Sequence, residues 1–343
     1  MISSVYRNFL ANLIVLLCSV IFFLFCGELV LRSYHLFKYG ATKPEEMKPS
    51  LPDNILGWVP SEKFFFRKKK EQYKNGFRLY GDLKSQNKKI MIIGDSYTHA
   101  TQVPLTKTFY SLIKNSLPVE VFAYGQNGYG TLQEYLVLDK YLQSIQPNIV
   151  VFQFCTNDFY NNLWELELQS KWFNNRSRRP YLTNDDQIKL LIPLSFPHIR
   201  YFAEKYSQLL TLVITRFDKL QARFSRLSPY LIENLIQTNG KKVPLYAEAV
   251  ERTERIVQKI KMRVSPDVKI YFFTSENIEP YYSDIRDIIL RNGIKFIDGV
   301  PEAVDKAEKS GIKVRTPDGF HWNQYGHKIV ATVLIEELTK SVQ

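Results

Sequence analysis

An α/β fold, with a parallel sheet covered by helices on both faces and one membrane-crossing helix in front of it, is what this sequence predicts. Three observations carry that expectation. Five short apolar runs, Ile90–Ile93, Val119–Ala123, Ile149–Phe154, Val268–Thr274 and Ile294–Ile297, have the length and continuity of strands buried on both faces. Helical stretches at about 106–117, 130–146, 247–263, 280–292 and 323–340 alternate with these runs, as βαβ units require. The third observation is the segment from Phe9 to Leu31, FLANLIVLLCSVIFFLFCGELVL, which only Asn12 and Glu28 interrupt strongly. About 20 apolar residues suffice to span a bilayer core.

The N-terminal run reads as an uncleaved signal anchor. A secretory signal peptide would need a short apolar region and small residues at an A-x-A-like cleavage site. Here the run is long and ends Phe25-Cys26-Gly27-Glu28. Arg7 precedes the span and Arg32, Lys38 and Lys43 follow it, which favours a cytoplasmic C-terminus by the positive-inside rule. Long domains, however, translocate largely regardless of flanking charge. The expected organisation is an anchor over 1–32, crossing the membrane at about 9–31, then a stalk and irregular region over 33–87. An α/β domain follows over 88–343. Its regularity fails once, at about 159–245, where Trp164, Trp172, Pro193 and Pro197 mark irregular connections. Near 200–227, Leu209, Leu210, Val213, Phe217, Leu220 and Phe224 keep a three-four spacing, so a helix is expected inside this insertion. A long insertion at a strand end is commonly a lid or a binding surface, the alternative being a structural buttress.

Composition narrows the function classes. The 343 residues are 45% hydrophobic and 23% charged, which is globular rather than disordered. Cys18 and Cys26 fall in the apolar run, which leaves Cys155 as the one thiol of the soluble part. That excludes a disulfide scaffold and a cysteine zinc site, and no cofactor or metal is expected. The net charge is +12 and uneven: residues 32–90 hold 14 Lys and Arg against 6 Asp and Glu, and residues 159–245 hold 13 against 7. Such excess suits an anionic partner. Nucleic acid is disfavoured, because no helix-turn-helix, zinc-finger or RNP-type signature accompanies the charge.

Four fragments carry chemistry: Gly94-Asp95-Ser96, Gly125-Gln126-Asn127-Gly128, Thr156-Asn157-Asp158, and Asp318-Gly319-Phe320-His321. Each alone is an ordinary cap or turn. Together they sit at the carboxyl ends of three expected strands and in the last loop, where one crevice of an open parallel sheet collects ligands. A serine hydroxyl becomes a nucleophile when a base takes its proton. Ser96 on a strand-to-helix turn fits that role, His321 is the base, and Asp318 would hold the other ring nitrogen. The backbone amides of Ser96 and Gly128 and the side-chain amide of Asn157 are the candidate oxyanion donors, with Gly125 a rival to Gly128. His321 and His327 do not share a helical face, so they make a poor metal pair. His99 either lines the crevice or is structural, and His327 is a helix-surface residue or supports the last fragment. Phe320 and Trp322 flank the base as packing residues.

These fragments resemble the blocks of the SGNH hydrolase superfamily, also called GDSL esterases and lipases. The resemblance covers about 88–158 and 265–340. GDSYTHATQVP, GYGTLQEY, FQFCTNDFYNN and DGFHWNQYGH look like a bacterial membrane-anchored branch, whose anchors often end in a stretch like Glu28–Arg32. The resemblance implies a three-layer α/β/α flavodoxin-like sandwich. It also implies a Ser96–His321–Asp318 triad hydrolysing an O-acyl ester on a carbohydrate, lipid or cell-envelope polymer. The alternatives are an O-acyltransferase using the same triad on an envelope saccharide, and a non-catalytic scaffold. An envelope substrate implies a single-pass inner-membrane protein with its C-terminal domain outside the cytoplasm. Two departures from the pattern bear on substrate fit: Cys155 replaces a glycine two positions before Asn157, and Ala123 replaces an asparagine. Finally, Arg176, Arg178 and Arg179 are expected to attract an anionic substrate, or else to pair with Glu165, Glu167, Asp185 and Asp186.

Overall fold

The structure, a computed structural model, describes residues 2–39, 50–62, 65–66, 69–70, 73–194, 196–225 and 230–342. Part of the expected stalk, 40–49, lies outside the described residues. The chain divides into two units, one of residues 1–47 with 194–228, the other of residues 48–193 with 229–343.

The larger unit is the α/β domain. Two short antiparallel pairs open it, β1 (Ser50–Asp53) with β2 (Gly57–Pro60), and β3 (Phe65–Phe66) with β4 (Lys69–Lys70). Five parallel strands form the central sheet: β5 (Lys88–Gly94), β6 (Val119–Gly125), β7 (Ile149–Phe154), β10 (Lys269–Thr274) and β11 (Lys295–Phe296). Their order across the sheet is β11-β10-β7-β5-β6. A period of two divides each strand between two cores. Met91, Ile93, Phe122, Tyr124, Val150 and Phe152 face one side, and Ile90, Ile92, Val121, Ala123, Ile149 and Val151 face the other.

Helices cover both faces. Before β6 lie α2 (Ser96–His99) and α3 (Phe109–Ser116), and α4 (Thr131–Ile145) follows it. After β7 come α5 (Asn157–Asn161), α6 (Trp164–Gln169), the antiparallel pair β8 (Arg179–Leu182) and β9 (Ile188–Leu191), α9 (Ile232–Asn239) and α10 (Pro244–Arg263). The last helices are α11 (Tyr281–Arg291), α12 (Val300–Lys309) and α13 (Gln324–Val342). Leu138 of α4, Ile256 of α10 and Ile288 of α11 pack on the first face, and Ile113 of α3, Val304 of α12 and Leu334 of α13 on the second. This is the three-layer α/β/α sandwich, with the strand order of flavodoxin-like folds. Chain direction across the sheet reverses between β5 and β7, and a crevice opens at the carboxyl ends of strands at such a reversal.

The smaller unit holds α1 (Ile2–Tyr39), α7 (Pro197–Tyr206) and α8 (Gln208–Ser225). Within α1, Phe9–Tyr34 has a mean hydropathy of 2.8 and buries none of its most apolar window, so it is long and apolar enough to cross a membrane. The helix expected near 200–227 is broken at Ser207 into α7 and α8.

Candidate active site

The carboxyl end of β5 turns directly into α2, and two devices make the turn. Asp95 caps the helix, its side chain accepting from the Tyr97 amide at 3.0 Å. Gly94 leaves room underneath: a Cβ there would lie 2.4 Å from Thr98 Oγ1 and 2.5 Å from Gln153 Oε1. Gln153 of β7 ties the turn to the neighbouring strand, accepting from the Asp95 amide at 3.2 Å and from Thr98 Oγ1 at 3.0 Å. Ser96 is the first residue of α2 and half-buried. Its hydroxyl lies 3.5 Å from Asp95 Oδ2 and makes no hydrogen bond to His321. Nucleophile–base contacts are often long until substrate arrives.

The loop before α13 brings Asp318 and His321 together. Asp318 Oδ2 accepts from His321 Nδ1 at 2.8 Å. Asp318 Oδ1 accepts from the amides of Phe320 (2.9 Å) and His321 (3.1 Å) and from the Thr316 hydroxyl (2.7 Å). Burial alone would raise the Asp318 pKa. The Phe320 amide, His321, Thr316 and the His321 amide outweigh burial and hold the carboxyl well below the usual range, so it stays ionised. The His321 ring packs against Tyr97, the residue after Ser96, at a centroid distance of 5.2 Å. Tyr97 also donates to the Phe320 carbonyl at 3.2 Å. Trp322 is buried against Tyr97, whereas Phe320 is 66% exposed, so of the two expected packing residues only Trp322 packs.

The loop after β6 approaches the same corner. The Gln126 amide donates to the Gly94 carbonyl at 3.2 Å. Gly128 has φ +74°, a left-handed conformation that glycine adopts without strain. A Cβ on Gly128 would meet the Asn175 side chain at 2.7 Å, and Asn175 Nδ2 donates to the Gly128 carbonyl at 3.3 Å. Gly125 sits closed under α2, where a Cβ would be 2.1 Å from the His99 amide. At the start of α5, Asn157 Nδ2 donates to the Tyr129 carbonyl at 3.3 Å and to Asn161 Oδ1 at 2.9 Å, which ties the second and third fragments together.

One contributor was not legible in the sequence. Glu276, just past β10, accepts from the Tyr97 hydroxyl and from Cys155 Sγ, each at 3.4 Å. Its place at a strand's carboxyl end was the signal that could have found it. His99 is buried and structural: Nδ1 meets Asn127 Oδ1 at 2.7 Å and Nε2 meets the Tyr73 hydroxyl at 2.9 Å. Burial pulls its pKa down to about 4, so the ring is neutral and steadies the residue before Gly128. Arg179 is fully buried with its Nε 3.0 Å from Glu167 Oε2, and its guanidinium lies over the Trp58 ring at 5.1 Å. Of the two expectations for Arg179, an anionic substrate at the surface or pairing with a nearby carboxylate, the structure bears out the second and corrects the first: Arg179 is a buried buttress paired with Glu167. Asp186 likewise pairs with Arg255 at 2.6 Å. Arg178 is exposed.

Beneath these loops lie three buried carboxyls, Asp95, Glu134 and Asp158. Burial pushes Asp95 up to about 6 against the Tyr97 amide. Neither oxygen of Glu134 has a hydrogen-bond partner, and burial, then Asp158 and Asp95, hold its pKa well above the usual range. The folded state therefore keeps a proton on Glu134 that the unfolded chain releases near pH 4, and stability falls as pH rises toward the folded pKa. Glu134→Gln removes that proton-linked loss, on the order of 1 kcal/mol per pH unit for one proton. Thermal melts from pH 5 to pH 9 check this: the variant's advantage over the wild type should widen with pH. A constant difference would mean that Glu134 is ionised throughout. Among the described residues, no group of three His, Cys, Asp or Glu side chains is placed to hold a metal ion.

A family model described as GDSL-like lipase/acylhydrolase matches residues 92–329. No curated protein matches the chain in sequence. Similar solved structures include a member of the lipolytic G-D-S-L family from Veillonella parvula, at 10% identity over 74% of this chain and 98% of that one, with a TM-score of 0.39. A lipase/acylhydrolase from Enterococcus faecalis is 13% identical over 74% and 96%, with a TM-score of 0.40. A catalytic mutant of an acetylxylan esterase from Geobacillus stearothermophilus is 14% identical over 73% and 94%, with a TM-score of 0.38.

Proposed function

Because the chain belongs to the GDSL-like lipase/acylhydrolase family, and is thus an ester-acting hydrolase, we propose that it is a membrane-anchored serine esterase working through Ser96, His321 and Asp318. The observation that carries this reading is the 2.8 Å contact from His321 Nδ1 to an ionised Asp318, with the ring packed on the residue after Ser96. Asp318 fixes the tautomer in which Nε2 is the free base. Ser96 Oγ attacks the acyl carbonyl while Nε2 takes its proton, and the carbonyl oxygen becomes an oxyanion. The amides of Ser96 and Gly128 and the Asn157 side chain receive that charge. Asn157 Nδ2 reaches it by releasing its longer contacts, to the Tyr129 carbonyl at 3.3 Å and to Asp158 Oδ1 at 3.5 Å. Collapse expels the alcohol with the proton from Nε2, and water then releases the acid from Ser96 by the same sequence.

The ester is proposed to sit on a carbohydrate, lipid or cell-envelope polymer. The apolar span of α1 is proposed to hold the catalytic domain at the outer face of the cytoplasmic membrane. The test is hydrolysis of an aryl acetate by the full chain in detergent micelles. Wild type should release the phenol catalytically, and Asn157→Ala should lower kcat about 10²–10³-fold with little change in KM. A wild-type chain that releases nothing above the buffer rate would overturn the reading.

A further inference from the structure

A carboxylate near the end of an apolar helix is costly unless its oxygens are satisfied. In α1 that residue is Glu28, and its partners come from the insertion 170 residues and more along the chain. Glu28 accepts from the Ser207 hydroxyl at 3.0 Å and from the amides of Gln208 (3.0 Å) and Leu209 (2.9 Å), which are the orphan donors at the start of α8. Arg32 completes the junction. Its Nε donates to Glu28 at 2.7 Å and its Nη2 to the Tyr206 carbonyl, the last of α7, at 3.1 Å. Gly27 lets the helices close up, since a Cβ there would stand 3.1 Å from the Leu209 side chain. Arg200 then clamps α7 to α8 with two bonds to Asp218, at 2.7 and 2.9 Å. One Glu–Arg pair at the end of the span thus holds both inserted helices.

What those helices expose is apolar. Ile199, Phe202 and Tyr206 form one row on α7, and Val213, Phe217 and Leu220 one row on α8, each residue more than half exposed. Both rows keep the three-four spacing of a single helical face. The segment 194–228 holds six Lys and Arg against two Asp and Glu. Apolar rows on a net basic segment, docked at the end of a bilayer-length helix, have the chemistry of the acyl–headgroup boundary. We propose that α7 and α8 form an interfacial hairpin, latched to α1 through Glu28 and Arg32 and seated by its apolar rows in the same bilayer that α1 crosses. This rests on the anchor reading above. It enlarges the anchor from a single span to a span with a membrane-bound hairpin at its end.

The experiment is nitroxide depth measurement on the full-length chain carrying Cys18→Ala, Cys26→Ala and Cys155→Ala, in vesicles of phosphatidylcholine with phosphatidylglycerol. Single labels enter through Val213→Cys, Phe217→Cys and Leu220→Cys, with Thr215→Cys on the opposite face of α8 and Leu16→Cys in the span. The expected result is an oxygen-to-nickel-chelate accessibility ratio several-fold higher at 213, 217 and 220 than at 215, with the highest ratio at 16. Labels at 213, 217 and 220 that are open to the nickel chelate, or shielded from both reagents by protein, while the label at 16 reads lipid, overturn the hairpin alone. A water-exposed label at 16 overturns the anchor, and the hairpin with it.

Discussion

Ser96→Ala should lower turnover of an aryl acetate by about four to six orders of magnitude, with KM and melting temperature close to wild type. The size follows from the chemistry, since without the hydroxyl no acyl-enzyme forms and only the oxyanion donors and binding remain. The unchanged stability follows from the structure: Ser96 is half-buried and its hydroxyl has one long contact, 3.5 Å to Asp95. His321→Ala should cost about as much, and the double variant little more, because the two act as one unit. Asp318→Asn keeps the shape but removes the charge that orients Nδ1, and should lose about 10⁴-fold. In the wild type Asp318 is held ionised across the assay range by its amide and hydroxyl donors, so turnover should not be lost there through protonation of this carboxyl. A Ser96→Ala chain with wild-type turnover would place the nucleophile elsewhere.

Arg179→Met should be the most destabilising of the substitutions considered, at about 3–5 kcal/mol. Both partners of the Arg179–Glu167 pair are fully buried, and losing the cation leaves a buried carboxylate without its counter-charge. Glu167 also accepts from the Tyr181 hydroxyl at 2.8 Å and from the Asn175 amide at 3.1 Å, and Asn175 is the residue against Gly128. Turnover at permissive temperature should therefore fall as well as stability. The double variant Arg179→Met, Glu167→Gln removes the stranded charge and should regain a large part of the loss. Urea denaturation of the three chains measures it. Equal stability of Arg179→Met and wild type would mean that the arginine is solvated and free to serve as the surface cation the sequence had suggested.

The difference between Arg179 and His321 explains how much could be read in advance. Asp318 and His321 are three residues apart, so their contact is local and their spacing announces it. The strands β5, β6, β7 and β10 were legible for a similar reason, being continuous apolar runs buried on both faces. Arg179 touches Gln133 at 3.2 Å and Trp58 across long stretches of chain, and no periodicity records such a meeting. The same holds for His99 with Tyr73 and for Asn175 with Gly128. Helix α12, ten residues beginning at Val300-Pro301, was missed because only Val300, Val304 and Ala307 mark its buried face among charged neighbours. The break between α7 and α8 escaped because the three-four spacing runs through it, while the reason for the break, the capping carboxylate of Glu28, lies far away in the chain.

The most direct test of the Ser96–His321–Asp318 assignment is covalent labelling with a fluorophosphonate, read by peptide mass. Wild-type chain should carry one adduct, on the peptide containing Ser96, and His321→Ala should carry almost none in the same time because the hydroxyl is no longer activated. Absence of any adduct on wild type while a control serine esterase labels in the same tube, or an adduct on a different serine, would contradict the assignment.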